Sequence, residues 1–293
     1  MIKSGLRFIA IAGLLLILGG VTLQFVYLSK ARSFEEVRIP AEGYEIAGYL
    51  SPGTSPGGPW VVFGHGNRRE GQASELYRRL TNNLSREASV LAIDFRGFGQ
   101  SSSDGLASAD KILDRSGDFD AAVAYLKENF GATNEDIILM GHSLGAAQAL
   151  KAAHDEHYRL AVPIGLGNYE VVVGSQQGIR SYGEKFRSNT GVTVAPEVVL
   201  RESEQFTPLS LFSPCPETPV ALVFGAYEHA EALLHQPTKI PEDCAASIQW
   251  IVIPFADHMY GTEKDGLPEP LQRLYVTFSL SLLTWQINQL LRQ

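Results

Sequence analysis

A serine flanked by glycines is the residue whose type and spacing most directly suggest chemistry. Ser143 lies in Gly141-His142-Ser143-Leu144-Gly145, between an apolar run at 137–140 and a helix-favouring run at 146–150. A serine on such a strand-to-helix turn takes a strained backbone conformation, and its hydroxyl projects above the sheet edge. We therefore predict that Ser143 is a nucleophile. The structural alternative is a serine that merely opens a helix after a glycine-rich turn.

The serine must be positioned by the strands and helices that alternate along the predicted chain. Most of the predicted strands are continuous apolar runs, which suits strands that helices cover on both faces. Alternation of strands with helices predicts an α/β fold with a mostly parallel central sheet. The predicted strands are 35–39, 44–50, 60–63, 89–94, 136–140, 160–164, 220–224 and 248–253. The predicted helices are 74–86, 116–129, 146–157 and 270–291.

The predicted domain comprises residues 34–293. Two of its segments, residues 174–213 and the last helix, support further structural predictions. Residues 174–213 are polar with short helical patterns, so we interpret them either as a small cap insertion over the sheet edge or as an ordinary surface excursion. In the last helix, apolar side chains recur at helical spacing and predict a stripe that faces the core. The stripe comprises Leu271, Leu274, Tyr275, Phe278, Leu282 and Trp285.

Three motifs in order, His65-Gly66-Asn67, the segment 94–101 (Asp-Phe-Arg-Gly-Phe-Gly-Gln-Ser) and the Ser143 pentapeptide, resemble those of the α/β-hydrolase superfamily. The resemblance runs from about Glu35 to the end of the chain. Within the superfamily, the motifs are similar to BEM46-like and monoglyceride-lipase-like serine hydrolases, a group of serine aminopeptidase S33 type. The resemblance implies an α/β-hydrolase fold and a catalytic triad in the chain order serine, acid, histidine.

A serine hydroxyl needs a base to remove its proton. The implied order favours His258, which follows the strand 248–253 in a loop before the last helix. The family places its acid in a Gly-x-x-Asp pattern after the preceding strand, and Glu228 holds that place in Gly225-Ala226-Tyr227-Glu228. Asp257 is the alternative acid, although its adjacency to His258 disfavours a contact with Nδ1. The remaining histidines fit the role of base less well: His65, His142, His154, His157, His229 and His235.

Acyl transfer also needs two backbone amides that stabilise the oxyanion. One is expected at Leu144, directly after the nucleophile, and the family resemblance implies that the other is at Asn67. The resulting prediction is a serine hydrolase, carboxylesterase-like or lipase-like, that cleaves a carboxylic ester or similar acyl substrate through an acyl-enzyme. Asp94 and Arg96 are expected to shape a turn. The two rival functions are an amide or peptide bond hydrolase with the same triad and a catalytically silent membrane-anchored scaffold.

Charge and composition limit which classes of partner and cofactor are expected. The formal net charge is −8, and no basic run is present, so nucleic acid is not an expected partner. No cofactor is implied, and no Cys/His spacing suggests a metal site. The two cysteines, Cys215 and Cys244, each precede a predicted strand. If those strands are parallel neighbours, a disulfide becomes feasible, but two buried thiols are the alternative.

The first 33 residues differ from the rest. Residues 8–28 contain no charged side chain, and at about 1.5 Å per residue they would cross a bilayer as a helix. We expect an N-terminal transmembrane anchor; a cleaved signal peptide is the alternative. Lys3 and Arg7 precede the run, whereas Lys30 and Arg32 follow it. This near balance weakly favours an extracytoplasmic catalytic domain. An anchor would place that domain near lipid, so a lipid is among the expected acyl substrates.

Overall fold

The fold is that of a computed structural model, which describes residues 34–53, 58–103, 106, 111–167, 169–228, 240–262 and 268–292. The predicted membrane anchor at residues 1–33 lies outside these ranges. Among the described residues, no helix combines the length and the apolar character that crossing a bilayer requires.

One eight-stranded sheet forms the centre, in the order β1-β2-β4-β3-β5-β6-β7-β8. The first two strands pair antiparallel with each other and β2 pairs antiparallel with β4, whereas all remaining pairs are parallel. The strands are β1 Glu35–Ala41, β2 Tyr44–Ser51, β3 Trp60–Gly64, β4 Ser89–Ile93, β5 Ile137–His142, β6 Leu160–Ile164, β7 Ala221–Gly225 and β8 Gln249–Ile253.

Helices cover both faces of this sheet. The α-helices are α1 Glu75–Leu84, α2 Ser116–Phe130, α3 Leu144–Asp155, α4 Tyr169–Val173, α5 Gln176–Thr190, α6 Pro196–Ser203, α7 Pro208–Leu211, α8 Glu242–Ser247 and α9 Glu269–Leu291. On one face, Phe119 of α2 and Leu150 of α3 share a buried cluster with Val62 of β3. On the other face, Leu80 of α1 and Leu283 of α9 share a second cluster with Phe63. Burial on both faces explains why the inner strands are continuous apolar runs.

The predicted α/β architecture is confirmed, with strand boundaries that differ from the predicted ones by a residue or two. The stripe predicted on the last helix is wrong at four of its six positions, whereas Tyr275 and Leu282 are partly buried and Leu282 packs against the core. Leu271, Leu274, Phe278 and Trp285 are each about half exposed, whereas α9 faces the core with a different set of side chains. That set comprises Val276, Leu280, Leu283, Ile287 and Leu290. Because α9 is apolar around most of its circumference, spacing alone did not select the buried face.

Four α-helices, α4 to α7, lie in the described part of the chain between β6 and β7. The predicted cap at residues 174–213 falls within this stretch. Helix α5 begins at the Ser175 cap, whose side chain accepts a hydrogen bond from the Gly178 amide, and ends at Gly191 in the left-handed conformation. These capping residues explain how a polar segment without a continuous apolar pattern still forms helices.

A disulfide joins Cys215 and Cys244, whose Cα atoms are 5.4 Å apart. Cys215 precedes β7 and Cys244 lies on α8, directly before β8. Since β7 and β8 are parallel neighbours, both cysteines approach the same end of the strand pair. Of the two alternatives for these cysteines, a disulfide or two buried thiols, the structure contains the disulfide.

Candidate active site

Ser143 lies on a sharp turn between β5 and α3. Its backbone has φ 54° and ψ −111°, a conformation that non-glycine residues rarely adopt. The Ser143 amide donates to the Ile164 carbonyl at 2.9 Å, which ties the turn to the end of β6. Strain held in place by surrounding structure is typical of functional sites. The predicted elbow geometry is therefore present at this serine.

The two glycines of the motif are needed for close backbone approach. A Cβ at Gly141 would lie 2.0 Å from the Gly145 carbonyl oxygen, and a Cβ at Gly145 would lie 2.3 Å from the Gly64 carbonyl oxygen. Both distances are far below a van der Waals contact. The second contact packs the start of α3 against the end of β3, so the loop after β3 lies against the elbow.

The loop Gly64–Asn67, called the oxyanion loop from here, carries one of the two predicted amide donors. A Cβ at Gly66 would lie 3.2 Å from the Ser143 Cβ, so this loop contacts the serine directly. Leu144, the other predicted donor, is the first residue of α3 and is buried. Amides in the first turn of a helix have no acceptor within that helix. Such an amide is free to bind a developing negative charge.

Asn189, near the end of α5 in the segment between β6 and β7, contacts the oxyanion loop. Its Nδ2 donates to the Asn67 carbonyl at 3.1 Å and to the Asn67 Oδ1 at 2.6 Å. The two contacts together restrain both the backbone and the side chain of Asn67. The sequence contains no signal for this role, since the two residues are 122 positions apart.

His65 stabilises the same loop by two hydrogen bonds to backbone groups. Its Nδ1 donates to the Gly66 carbonyl at 2.6 Å, and its Nε2 accepts the Phe95 amide at 3.1 Å. Because Nε2 accepts an amide proton, the imidazole carries its one proton on Nδ1, and burial, which lowers the pKa of His65, favours this neutral form. Asp94 is also buried and accepts the Gln72 amide and the Tyr49 hydroxyl. Asp94 therefore has the turn-shaping position that was predicted for it.

Glu228 and His258 are brought together at the carboxyl ends of β7 and β8. His258 Nδ1 lies 3.4 Å from Glu228 Oε1, with the carboxylate side chain only 3% exposed and the imidazole 44% exposed. The Glu228 amide donates to the Gly225 carbonyl, and the Tyr227 amide donates to the Ala256 carbonyl. The first bond closes the turn that carries the acid, and the second joins this turn to the histidine loop.

Gly165, directly after β6, lies against this pair. Its φ is +57°, and a Cβ there would lie 2.9 Å from Glu228 Oε1 and 3.0 Å from His258 Nδ1. Any side chain at this position would therefore crowd both partners. The absence of a side chain at Gly165 leaves room for the acid and the base to meet.

The rival acid, Asp257, has a different set of partners. Its Oδ1 accepts the Met259 amide at 3.0 Å and the Gly261 amide at 2.8 Å. This carboxylate stabilises the turn that follows His258. The geometry thus places Glu228, and not Asp257, beside the histidine ring nitrogen Nδ1.

Two groups of potential metal ligands occur among the described residues. Ligand atoms of His142, Glu228 and His258 lie within 4.8 Å of one another, as do those of Cys215, Asp243 and Cys244. The cysteines are joined in the disulfide, so neither can supply a thiolate. In the first group, Glu228 contacts the His258 ring and His142 contacts the His258 backbone carbonyl. A carboxylate beside an imidazole suits proton transfer.

Comparison with known proteins agrees with this architecture. A family model described as "Alpha/beta hydrolase family" matches residues 61–285. An esterase from Pyrococcus furiosus, Pf2001, is 19% identical over 86% of this chain and 90% of its own, with a TM-score of 0.56. Est1E from Butyrivibrio proteoclasticus is 18% identical over 85% of this chain and 98% of its own, with a TM-score of 0.55.

A third solved structure, an alpha-beta serine hydrolase homologue from Coxiella burnetii, is 16% identical over 85% of this chain and 98% of its own, with a TM-score of 0.51. At such identities the solved structures show a shared fold. The family match extends over most of the chain and contains the elbow, the acid loop and the histidine loop. Its extent, together with the eight-stranded sheet and the strained Ser143, shows that this protein belongs to the alpha/beta hydrolase family.

Proposed function

We propose that the protein is a serine hydrolase that cleaves a carboxylic ester or a similar acyl substrate. The observation that carries the proposal is the pairing of the buried Glu228 carboxylate with His258, at the same sheet edge as the strained Ser143. The esterases among the structural neighbours support the same choice of substrate class. We also propose, from the three sequence motifs, that the protein is a BEM46-like or monoglyceride-lipase-like hydrolase.

In the proposed reaction, Ser143 Oγ attacks the acyl carbon while His258 takes the hydroxyl proton. Glu228 accepts from His258 Nδ1 and stabilises the imidazolium that forms. The amides of Leu144 and Asn67 stabilise the oxyanion, which is worth on the order of 3 kcal/mol per donor. His258 then gives its proton to the leaving alcohol. Water, activated by the same histidine, releases the acid from Ser143.

The proposed setting is a membrane surface, with the catalytic domain outside the cytoplasm. The apolar run 8–28 supports an N-terminal anchor. The Cys215–Cys244 disulfide supports an oxidising compartment, because cytoplasmic thiols are kept reduced. Anchoring near lipid makes a lipid ester one candidate substrate. A protease-protection assay on membrane vesicles tests the orientation: a catalytic domain exposed only on the cytoplasmic face contradicts this setting.

Fluorophosphonate labelling tests the enzyme proposal most directly. The wild-type chain should react covalently, and Ser143→Ala should abolish the reaction while circular dichroism shows an unchanged fold. Ser101→Ala is a matched control at a serine whose Oγ bonds the Asp94 carbonyl oxygen in a turn. Equal labelling of wild type and Ser143→Ala, or no labelling of folded wild type, would leave the silent scaffold as the better description.

Substrate class needs a separate measurement. We expect turnover of p-nitrophenyl acyl esters of graded chain length, with slower turnover or none of the matched aminoacyl p-nitroanilides. Hydrolysis of the anilides alone would assign the protein to amide or peptide bond hydrolysis with the same three residues.

A further inference from the structure

We propose that His142 is a positioning residue that couples the catalytic base to the oxyanion loop. Its imidazole would hold the His258 backbone on one side and, through Tyr77, the Gly66 backbone on the other. The inference rests on the proposed function, because it takes His258 as the base and the oxyanion loop as the source of the Asn67 amide.

Three hydrogen bonds in sequence carry the proposal. The Gly66 amide donates to Tyr77 Oη at 2.8 Å. Tyr77 Oη lies 3.0 Å from His142 Nδ1, and His142 Nε2 lies 2.8 Å from the His258 carbonyl oxygen. Tyr77 comes from α1, His142 from the end of β5, and His258 from the loop after β8. One connected series therefore runs from the oxyanion loop through α1 and the end of β5 to the loop that carries His258.

The direction of each bond follows from its ends. A backbone amide can only donate and a backbone carbonyl can only accept. Because the His258 carbonyl can only accept, His142 Nε2 must carry a proton and donate it. In a neutral imidazole Nδ1 then carries no proton and accepts from Tyr77 Oη, which itself accepts from the Gly66 amide. A neutral imidazole with its proton on Nε2 completes every bond, whereas the other tautomer would set a bare Nε2 against the carbonyl oxygen.

The surroundings of His142 favour that neutral form. The side chain is 1% exposed, and burial lowers its pKa well below the usual range, with a further contribution from nearby His258. The two imidazole rings lie 4.7 Å apart between their centroids. When His258 takes the serine proton, a neutral His142 opposes the new charge far less than a cationic one would. Neutrality thus lets His142 hold the base without repelling it.

Gly66 allows the contact that connects Tyr77 to the oxyanion loop. A Cβ at Gly66 would lie 2.4 Å from Tyr77 Oη, so no larger residue fits beside the hydroxyl. Tyr77 itself is buried, with its ring near Phe63 and His142. A phenol hydroxyl placed in apolar surroundings needs a partner, and here it has two.

The test compares His142→Ala, His142→Gln and Tyr77→Phe in the full chain. The readouts are kcat and KM for p-nitrophenyl butyrate, the pH profile of kcat/KM, the fluorophosphonate labelling rate and the melting temperature. The Gln side chain can still donate to the His258 carbonyl, so it serves as the conservative replacement. His157→Gln and Tyr125→Phe are matched controls at positions outside the site, and they should behave as wild type.

We expect His142→Ala to lower kcat on the order of 10- to 100-fold with a smaller change in KM, because a base displaced by a fraction of an ångström transfers its proton poorly. His142→Gln should recover much of this loss, and Tyr77→Phe should lower kcat less than His142→Ala. The kcat/KM profile of His142→Ala should also shift, since its midpoint reports the base. Nitrogen-15 NMR of wild type should show His142 protonated on Nε2 alone between pH 6 and 8.

Three outcomes would overturn the inference while leaving the hydrolase intact. These are wild-type kcat in folded His142→Ala, equal losses in His142→Gln and His142→Ala, and a His142 proton on Nδ1 in the NMR spectrum. A lowered melting temperature with unchanged kcat and pH profile would assign His142 a purely structural role. Absence of Ser143-dependent labelling in wild type would instead overturn the proposed function, and this inference with it.

Discussion

Glu228 Oε1 lies 3.4 Å from His258 Nδ1, and the carboxylate is almost completely covered while the imidazole is nearly half exposed. A covered acid beside an accessible base leaves the other ring nitrogen of His258 available to substrate and serine. The contact is long for a charge-assisted hydrogen bond, and such bonds often shorten when substrate binds.

Glu228→Gln should lower kcat on the order of 10³- to 10⁴-fold, because the neutral amide keeps the shape but does not stabilise the imidazolium. The measurement is kcat on a p-nitrophenyl ester, with Glu217→Gln as a control at an exposed carboxylate. Asp257→Asn should be milder, since Asp257 stabilises a turn through two amides. A larger loss from Asp257→Asn at equal folding would reassign the acid.

Asn189→Ala should reduce kcat roughly 2- to 10-fold, the value of one or two net hydrogen bonds. It removes both restraints on Asn67, whereas Asn67→Ala removes only the side-chain one. We therefore expect Asn67→Ala to cost less than Asn189→Ala. Steady-state kinetics of the two variants give the comparison, and the reverse order would show that α5 does not hold the oxyanion loop.

The stability of the fold should fall as pH drops below about 6.5, in part through His142. Its pKa is lowered in the folded chain, so the unfolded chain binds the proton first and acid favours unfolding. The stabilisation is present above the unfolded pKa and is lost at up to about 1.4 kcal/mol per pH unit below it. The titratable or charged groups around His142 are Tyr77, Glu228, His258, Tyr260 and Arg68.

Urea unfolding between pH 5 and 8 measures this effect. His142→Gln should show a shallower loss of unfolding free energy than wild type over that range, because glutamine does not titrate. The difference between the two slopes removes the contributions of other groups, including His65, whose pKa is also lowered. Parallel slopes would mean that His142 is protonated equally in the folded and unfolded chains.

Replacing both cysteines with serine should lower the free energy of unfolding by about 2–4 kcal/mol. The disulfide closes a segment of 29 positions that contains β7 and Glu228, so its loss frees that segment in the unfolded chain. Urea unfolding with and without dithiothreitol provides the measurement. The chain has only two cysteines, so the reductant should destabilise wild type and leave the double variant unchanged.

Local pattern was enough to predict the sheet and the elbow, whereas the choice of His258 came from the chain order that the family resemblance implies. Strands such as β5 are continuous apolar runs, and a strained serine between a strand and a helix has a recognisable composition. The buried face of α9 was not predictable, because helical spacing fits both the exposed Leu271 and Leu274, three positions apart, and the buried Val276 and Leu280, four apart. Tertiary packing alone distinguishes the two sets.

Tyr77 and Asn189 were also beyond prediction, for a different reason. Tyr77 lies in the first turn of α1 and Asn189 in the last turn of α5. Neither helix has a catalytic motif, and each residue contacts the site across a long stretch of sequence. A hydroxyl or an amide in a helix has many structural uses. Only the fold shows that these two side chains end beside Gly66 and Asn67.

Gly165 has a consequence for how the sequences of this family can diverge. A methyl group at this position would lie within about 3 Å of both Glu228 and His258, and the backbone there has a positive φ. Lineages that keep this acid–base pair in this geometry should therefore retain glycine at the matching position. Lineages that replace it should have moved the acid to another strand or lost hydrolysis, so this one alignment column would mark the descendants that can keep the acid–base pair in its present place.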